Sequence, residues 1–150
     1  IIQPLWSSIG YTVGATLGAA ISAQKQTVIL FVGDGSLQCT AQEISTMMRQ
    51  KINPIIFVIN NDGYAIERAI HGPKMPYNDI QMWDYAQLPH IFGDNAWSTR
   101  VTSEAELEQV LQTLKQHPQK LRLIEVMMDK FDYPDLLVNV AKDAAKFNAS

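Results

Sequence analysis

The sequence predicts an α/β fold: a doubly wound, mostly parallel sheet with helices on both faces. Three observations carry that prediction. The β-branched apolar runs Thr27–Val32, Pro54–Asn60 and Leu121–Met128 have the length and composition of strands buried on both sides. Helical patterns alternate with these runs, which implies parallel strands joined by right-handed crossovers. Two of the runs end in glycine-rich turns, Gly33-Asp34-Gly35-Ser36 and Asn60-Asn61-Asp62-Gly63. In open sheets of this kind ligands sit at the carboxyl ends of the strands.

Each element has its own signal. Gly14–Ala23 is rich in small residues and reads as a closely packed helix. Thr40-Ala41-Gln42-Glu43 has capping-box spacing and predicts a helix to about Gln50. Tyr64–Ile70 reads as a short helix. His71–Asn78, with Gly72, Pro73 and Pro76, reads as loop. Trp83–Phe92 is a helix candidate and Ala96–Val101 a weaker strand. Ser103-Glu104-Ala105-Glu106 is a second capping box, followed by an apolar face of Leu107, Val110, Leu111 and Leu114. Pro134–Phe147 closes the chain as a helix whose Leu136, Leu137 and Val140 could dock on the body.

Composition excludes several classes. At 150 residues, 47% hydrophobic and 18% charged, the chain reads as a single globular domain. A net charge of -3 argues against non-specific nucleic-acid binding, which needs a basic surface. No apolar run is long enough to span a membrane. One cysteine, Cys39, permits no intrachain disulfide, and a cytoplasmic location is expected. The chain does not open on methionine and is expected to be a piece of a longer protein. Asn148-Ala149-Ser150 matches a glycosylation sequon by chance. Cys39, Met47, Met48, Trp83 and Trp97 are read as packing residues, and His71 as a loop or interface residue.

The chemistry is expected at the two turns. If their strands are neighbours, Asp34 and Asn61 lie side by side. A carboxylate, an amide oxygen and a nearby carbonyl suit Mg²⁺, which takes oxygen ligands and keeps positions open for water and phosphate. Gly33 and Gly35 let backbone approach a phosphate, and N–H groups entering the next helix favour an anion. A lone Gly-Asp-Gly is more often an ordinary turn with Asp34 as a cap. The pair at matched strand ends is what points to a Mg²⁺-bound diphosphate.

Gly33-Asp34-Gly35, the stretch Ser36–Ile59 and Asn60-Asn61 together resemble the signature of thiamine-diphosphate enzymes. Leu5–Tyr11, Thr40–Ile44 and Asn61–Pro73 further resemble the pyruvate and indolepyruvate decarboxylases. The resemblance implies that residues 1–150 form the C-terminal diphosphate-binding domain, with thiamine diphosphate and Mg²⁺ as cofactors. It makes Asp34, Asn61 and the carbonyl of Gly63 the metal ligands, and Glu67 the catalytic residue beside the reacting carbon. Ser7, Ser8 and Ile9 are expected at the aminopyrimidine, with Ile9 propping the bent cofactor. Gly33, Gly35, Ser36, Asp62, Tyr64, Ala65 and Ile66 complete the expected cofactor contacts. Ile66, Ile70, Val140 and Ala144 are expected to line the substrate cavity.

Glu67, between Ile66 and Ile70, is expected to be partly desolvated, which would raise its pKa toward the range of a proton donor. Read without the resemblance, it is a surface glutamate paired with Arg68 or Lys74. The implied reaction is non-oxidative decarboxylation of a 2-oxo acid to an aldehyde and CO₂. Large aromatic substrates, indolepyruvate or phenylpyruvate, are slightly favoured over pyruvate. The implied partners are a separate pyrimidine-binding domain of the same enzyme and a second subunit, in a homodimer or homotetramer. The chain alone is expected to be inactive. The competing readings are a carboligating synthase and a non-catalytic nucleotide-binding module. The second lacks both a G-x-G-x-x-G and a Walker A motif.

Overall fold

The computed structural model describes residues 7–23 and 25–148, without the side chains of 144–148. Four parallel strands form one sheet: β1 (Ile29–Gly33), β2 (Ile55–Asn60), β3 (Ala96–Val101) and β4 (Leu121–Met127), in the spatial order β1-β2-β4-β3. β1 and β2 are neighbours, with Gly33 opposite Ile59, so their carboxyl-terminal turns emerge side by side.

Both faces of the sheet carry a core, but β1 is buried on one face alone: Ile29 and Phe31 are 52% and 66% exposed on the other, against the expectation of a strand buried on both sides. On one face of the sheet, Leu30, Val32, Ile56, Val58, Leu121 and Leu123 pack with Val13, Leu37, Ile44 and Met47 from α1 (Tyr11–Ser22), α2 (Asp34–Thr40) and α3 (Glu43–Arg49). On the other, Ile55, Phe57, Val101 and Ile124 meet Leu107 and Val110 of α6 (Glu104–Thr113). The short helices α4 (Ala65–His71) and α5 (Leu88–Phe92) follow β2 and precede β3. The last helix, α7 (Asp135–Asn148), lies against α4.

Several expected elements are corrected. The Thr40 capping box does not form. Thr40 is the last residue of a separate helix, α2, and its hydroxyl donates to the Gly10 carbonyl at 2.8 Å. α3 then starts at Glu43 with no side-chain cap. At α6 the Ser103 hydroxyl does accept from the Glu106 N–H at 3.3 Å, but Glu106 turns its carboxylate to Thr102 instead of Ser103. Trp83–Phe92 is not one helix: a 3₁₀ turn at Tyr85–Gln87 leads into α5, where Pro89 fits the first turn. Tertiary bonds claim that turn's backbone. The Ala86 carbonyl accepts from Ser98 at 2.6 Å and its N–H donates to Glu125 at 3.2 Å.

Leu111 is 47% exposed, so the apolar face of α6 is narrower than its spacing suggests. Leu136 and Val140 are exposed too, and buried Ala141 is the close-approach point of α7. His71 belongs to α4 rather than to the loop after it. Cys39 is exposed on α2. Met47 is fully buried, and Trp97 stacks on His117 at 5.1 Å, as packing residues should. No described helix is long and apolar enough to cross a membrane.

Candidate active site at the carboxyl end of the sheet

The sheet delivers Asp34 and the Asn60–Gly63 turn to one place. Asp34 is 1% exposed. One carboxylate oxygen accepts from the Gly35 N–H at 2.8 Å and the other from the Gly63 N–H at 2.9 Å, across to the second turn. Burial pushes its pKa up, those amide bonds pull it partly back, and the charge of Asp62 pushes it up again. No salt bridge reaches Asp34 among the described residues. A buried carboxylate held only by neutral donors is the group a hard cation would stabilise.

The remaining oxygen donors are on the same turn. Asn61 directly follows the end of β2, is half-buried, and its amide makes no hydrogen bond among the described residues. Asp62 (φ 59) and Gly63 (φ 116) are both left-handed, so the chain reverses sharply. Gly63 has no alternative, since a Cβ there would stand 2.1 Å from the Asn78 carbonyl. The Tyr64 N–H donates to that carbonyl at 2.9 Å. In a trans peptide the carbonyl opposes the N–H, so the Gly63 oxygen faces away from Asn78. Among the described residues no three His, Cys, Asp or Glu side chains gather into a metal cluster. The donor set fits Mg²⁺ all the same, because one carboxylate plus amide and carbonyl oxygens is enough for an ion that keeps water and phosphate ligands.

The other expected contacts fall into two groups. Nothing stands within 4 Å of a Cβ built on Gly33, which leaves open space at the strand end. Gly35 is glycine for the opposite reason: a Cβ there would be 2.5 Å from the Tyr64 ring. Tyr64 thus covers α2, and its phenol pKa is raised chiefly by burial. The Ser36 hydroxyl is already engaged, accepting from the Gly10 N–H at 2.8 Å. With Thr40 it clamps Gly10 (φ 83), so the turn carrying Ser7, Ser8 and Ile9 is fixed to α2. Ile9 itself is 56% exposed, free to support a ligand.

Glu67, Ile66 and Ile70 ride on α4, directly after the turn. The expectation of a desolvated Glu67 is corrected: its side chain is 42% exposed and pairs with His71 at 3.4 Å, one helical turn on, rather than with Arg68 or Lys74. Ile66 is 47% exposed and Ile70 half-buried. Val140, half exposed on α7, lies on the helix that packs against α4; the Ala144 side chain is outside the described residues. A cavity of about 570 Å³ opens elsewhere, at the amino ends of the strands among Thr27, Asn53 and Arg122. It is remote from all of these residues.

Two residues that sequence reasoning passed over hold the site together. Glu125, fully buried in β4, accepts from the Asn60 amide at 2.7 Å and from Arg100 at 2.9 Å. Arg68, 2% exposed, donates to the Asp62 and Asn78 carbonyls and to Asp79. For Glu125 the available signal was a charged residue inside the apolar run of β4; Arg68, beside Glu67 and His71 on α4, gives no such signal.

Comparison with known proteins identifies the family. Residues 1–126 match the family described as thiamine pyrophosphate enzyme, C-terminal TPP binding domain. The chain is 51% identical to pyruvate decarboxylase isozyme 1 of Saccharomyces cerevisiae, over 99% of its length and 28% of that protein's. It is 42% identical to an alpha-keto-acid decarboxylase of Mycobacterium avium, covering 93% of this chain and 25% of the relative. The crystal structure of benzoylformate decarboxylase from Polynucleobacter necessarius superposes with a TM-score of 0.66 at 28% identity, covering 81% of this chain and 24% of that one. The chain thus spans about a quarter of the length of the relatives it matches. The match over most of its length places the chain in the family of C-terminal TPP-binding domains of thiamine pyrophosphate enzymes.

Proposed function

We propose that this domain holds the diphosphate end of thiamine diphosphate, through Mg²⁺, in an enzyme that decarboxylates a 2-oxo acid to an aldehyde and CO₂. The observation that carries the reading is Asp34: buried, without a cationic partner, and bonded across two strand ends to the Gly63 N–H at 2.9 Å. Asp34, Asn61 and the Gly63 carbonyl would hold the metal. When bound, the cofactor supplies the electron sink for the departing carboxylate. The chain's own residues bind and orient. Ile9, on its clamped turn, would support the cofactor's bend, and Gly33 would leave room for phosphate oxygens.

Glu67 is the proton-handling residue of this reading. Its half-exposed carboxylate stands on α4 beside Ile66 and Ile70, and closure by the rest of the enzyme would supply the desolvation absent here. Glu67→Gln in the whole enzyme should lower turnover ~10²–10⁴-fold with cofactor affinity nearly unchanged. Near-normal turnover with weakened cofactor binding would place Glu67 at the cofactor's anchor instead.

Pyruvate is the substrate the relatives favour, since the yeast proteins at 51% identity are named pyruvate decarboxylases. The leaning toward indolepyruvate or phenylpyruvate finds no support among them. Branched Ile66 and Ile70 are consistent with a narrow cavity. The measurement is kcat/KM for pyruvate against phenylpyruvate in the whole enzyme. A preference for phenylpyruvate would shift the cavity's limits to α7, at Val140 and Ala144. The reading also includes a pyrimidine-binding domain and a second subunit completing the site, in a homodimer or homotetramer of the cytoplasm.

A further inference from the structure

We propose that Arg68 is a positioning residue for the cation site: its guanidinium fixes the orientation of the Asp62–Gly63 peptide, with Asp79 as its counter-charge. The inference rests on the Asp34, Asn61 and Gly63 site described above. That peptide is gripped from both sides. Its N–H, from Gly63, donates to the Asp34 carboxylate at 2.9 Å; its carbonyl, from Asp62, accepts from Arg68 Nη2 at 2.6 Å. Rotating the peptide would break both bonds at once. Asp62, a non-glycine residue at φ 59, is held in a left-handed conformation that persists where neighbours enforce it.

The next peptide is governed by the same side chain. Arg68 Nη2 also donates to the Asn78 carbonyl at 3.3 Å, the same oxygen that receives the Tyr64 N–H at 2.9 Å. Arg68 therefore fixes Asn78, and the Tyr64 N–H bond to Asn78 turns the Gly63 carbonyl the other way. Both peptides flanking Gly63 depend on one guanidinium nitrogen. Asp79 explains how a buried cation can stand beside a metal site. Its carboxylate is 2.6 Å from Nη2, and the Arg68 bond holds its pKa below the ordinary value. The pair removes most of the positive field that would oppose Mg²⁺.

A lysine would reproduce this grip only in part. All three oxygens meet one guanidinium nitrogen whose direction is fixed by the planar group, whereas a lysine would bring enough donors but carry them on a flexible stem. Outer-sphere partners of metal ligands typically change metal affinity 10–100-fold when removed.

The test uses the whole enzyme with thiamine diphosphate at fixed concentration and follows cofactor uptake by tryptophan fluorescence as Mg²⁺ is titrated. Arg68→Met should weaken apparent Mg²⁺ affinity ~10–100-fold while turnover at saturating Mg²⁺ is largely kept, a split that general loss of structure would not give. Arg68→Lys should recover only part of the affinity. Unchanged Mg²⁺ affinity in Arg68→Met would overturn the inference. If that variant does not fold, Asp79→Asn decides. Asp79 is 61% exposed, so its substitution should be tolerated, and it should weaken Mg²⁺ several-fold; no change would overturn the inference equally. A wild-type enzyme that needs no Mg²⁺ to take up the cofactor would instead sink the site itself.

Discussion

Asp34 and Glu125 are the two buried carboxylates at this end of the sheet, and they are treated differently. Glu125, 0% exposed, is surrounded by donors of its own chain: the Asn60 amide, the Ala86 N–H and the charged Arg100. Arg100 is held more firmly charged, chiefly by its bond to Glu125. Asp34, 1% exposed, receives neutral backbone amides, those of Gly35 and Gly63 foremost. Burying a charge is costly unless it is paired, and only one of the two is paired within the described protein. The contrast separates a carboxylate that completes the fold from one that leaves charge for something added to it.

Removing Glu125 should have the larger effect on folding. Glu125→Ala leaves the Asn60 amide and the Ala86 N–H without their acceptor and takes one partner from Arg100. Arg100 is 45% exposed and keeps Asp84, so the main cost is the two buried donors left unsatisfied, about 1–3 kcal/mol each, measurable by urea unfolding. A loss below about 1 kcal/mol would mean that water or a shift of Arg100 replaces the carboxylate, and the contrast with Asp34 would fail.

Asp34→Asn differs in kind: its NH₂ would face one of the two N–H donors, a cost of about 1–3 kcal/mol without metal, and the variant should also lose the stabilisation that ligand provides. At 100 times its Kd, a bound ligand contributes about 2.7 kcal/mol, and the variant should forfeit that gain. The pH dependence follows from the raised folded pKa. The folded state keeps its proton longer than the unfolded chain, whose value is near 3.8. The stability this gives is complete below that value and is lost as pH rises through the folded one. Without metal, wild type should thus lose stability over this window and Asp34→Asn should not; saturating Mg²⁺ and cofactor should abolish the loss. Equal slopes with and without the substitution would show that Asp34 does not titrate as an unpaired acid.

How much of this was legible in the sequence depends on whether a signal is local. The runs of β2 and β4 survive as strands because burial on both faces needs continuous apolar residues, β1 keeps its apolar run although Ile29 and Phe31 are exposed, and the Gly-Asp-Gly and Asn-Asn turns mark the ends of β1 and β2. Helix starts were less legible. Thr40 has the spacing of a cap, yet its hydroxyl is captured by Gly10, thirty residues earlier in the chain. Tyr85–Gln87 has helical pattern, yet Ser98 and Glu125 take its backbone groups. The same rule governs the site. Asp34, Asn61 and Gly63 are visible through their turns, whereas Arg68 and Glu125 act on residues reached only through the fold. Glu67 is the mixed case, since its chain position is clear but its side chain is 42% exposed on α4 rather than desolvated.

The smallest expected effect lies at the edge of the Glu125 network. Arg100 bridges Glu125 to Asp84, whose carboxylate is 2.9 Å away but 58% exposed. Exposed pairs contribute about 0–1 kcal/mol and are screened by salt. Asp84→Asn should therefore cost less than about 1 kcal/mol, and the difference from wild type should shrink further in molar salt. The double variant with Glu125→Ala should be nearly additive if Glu125 alone orders Arg100. A coupling above roughly 1 kcal/mol would show that Asp84 helps hold Arg100 against Glu125. The neutralisation of the buried carboxylate would then belong to a three-residue network reaching the surface. Glu125 would resemble Asp34 more closely, as a buried charge whose balance depends on conditions outside the core.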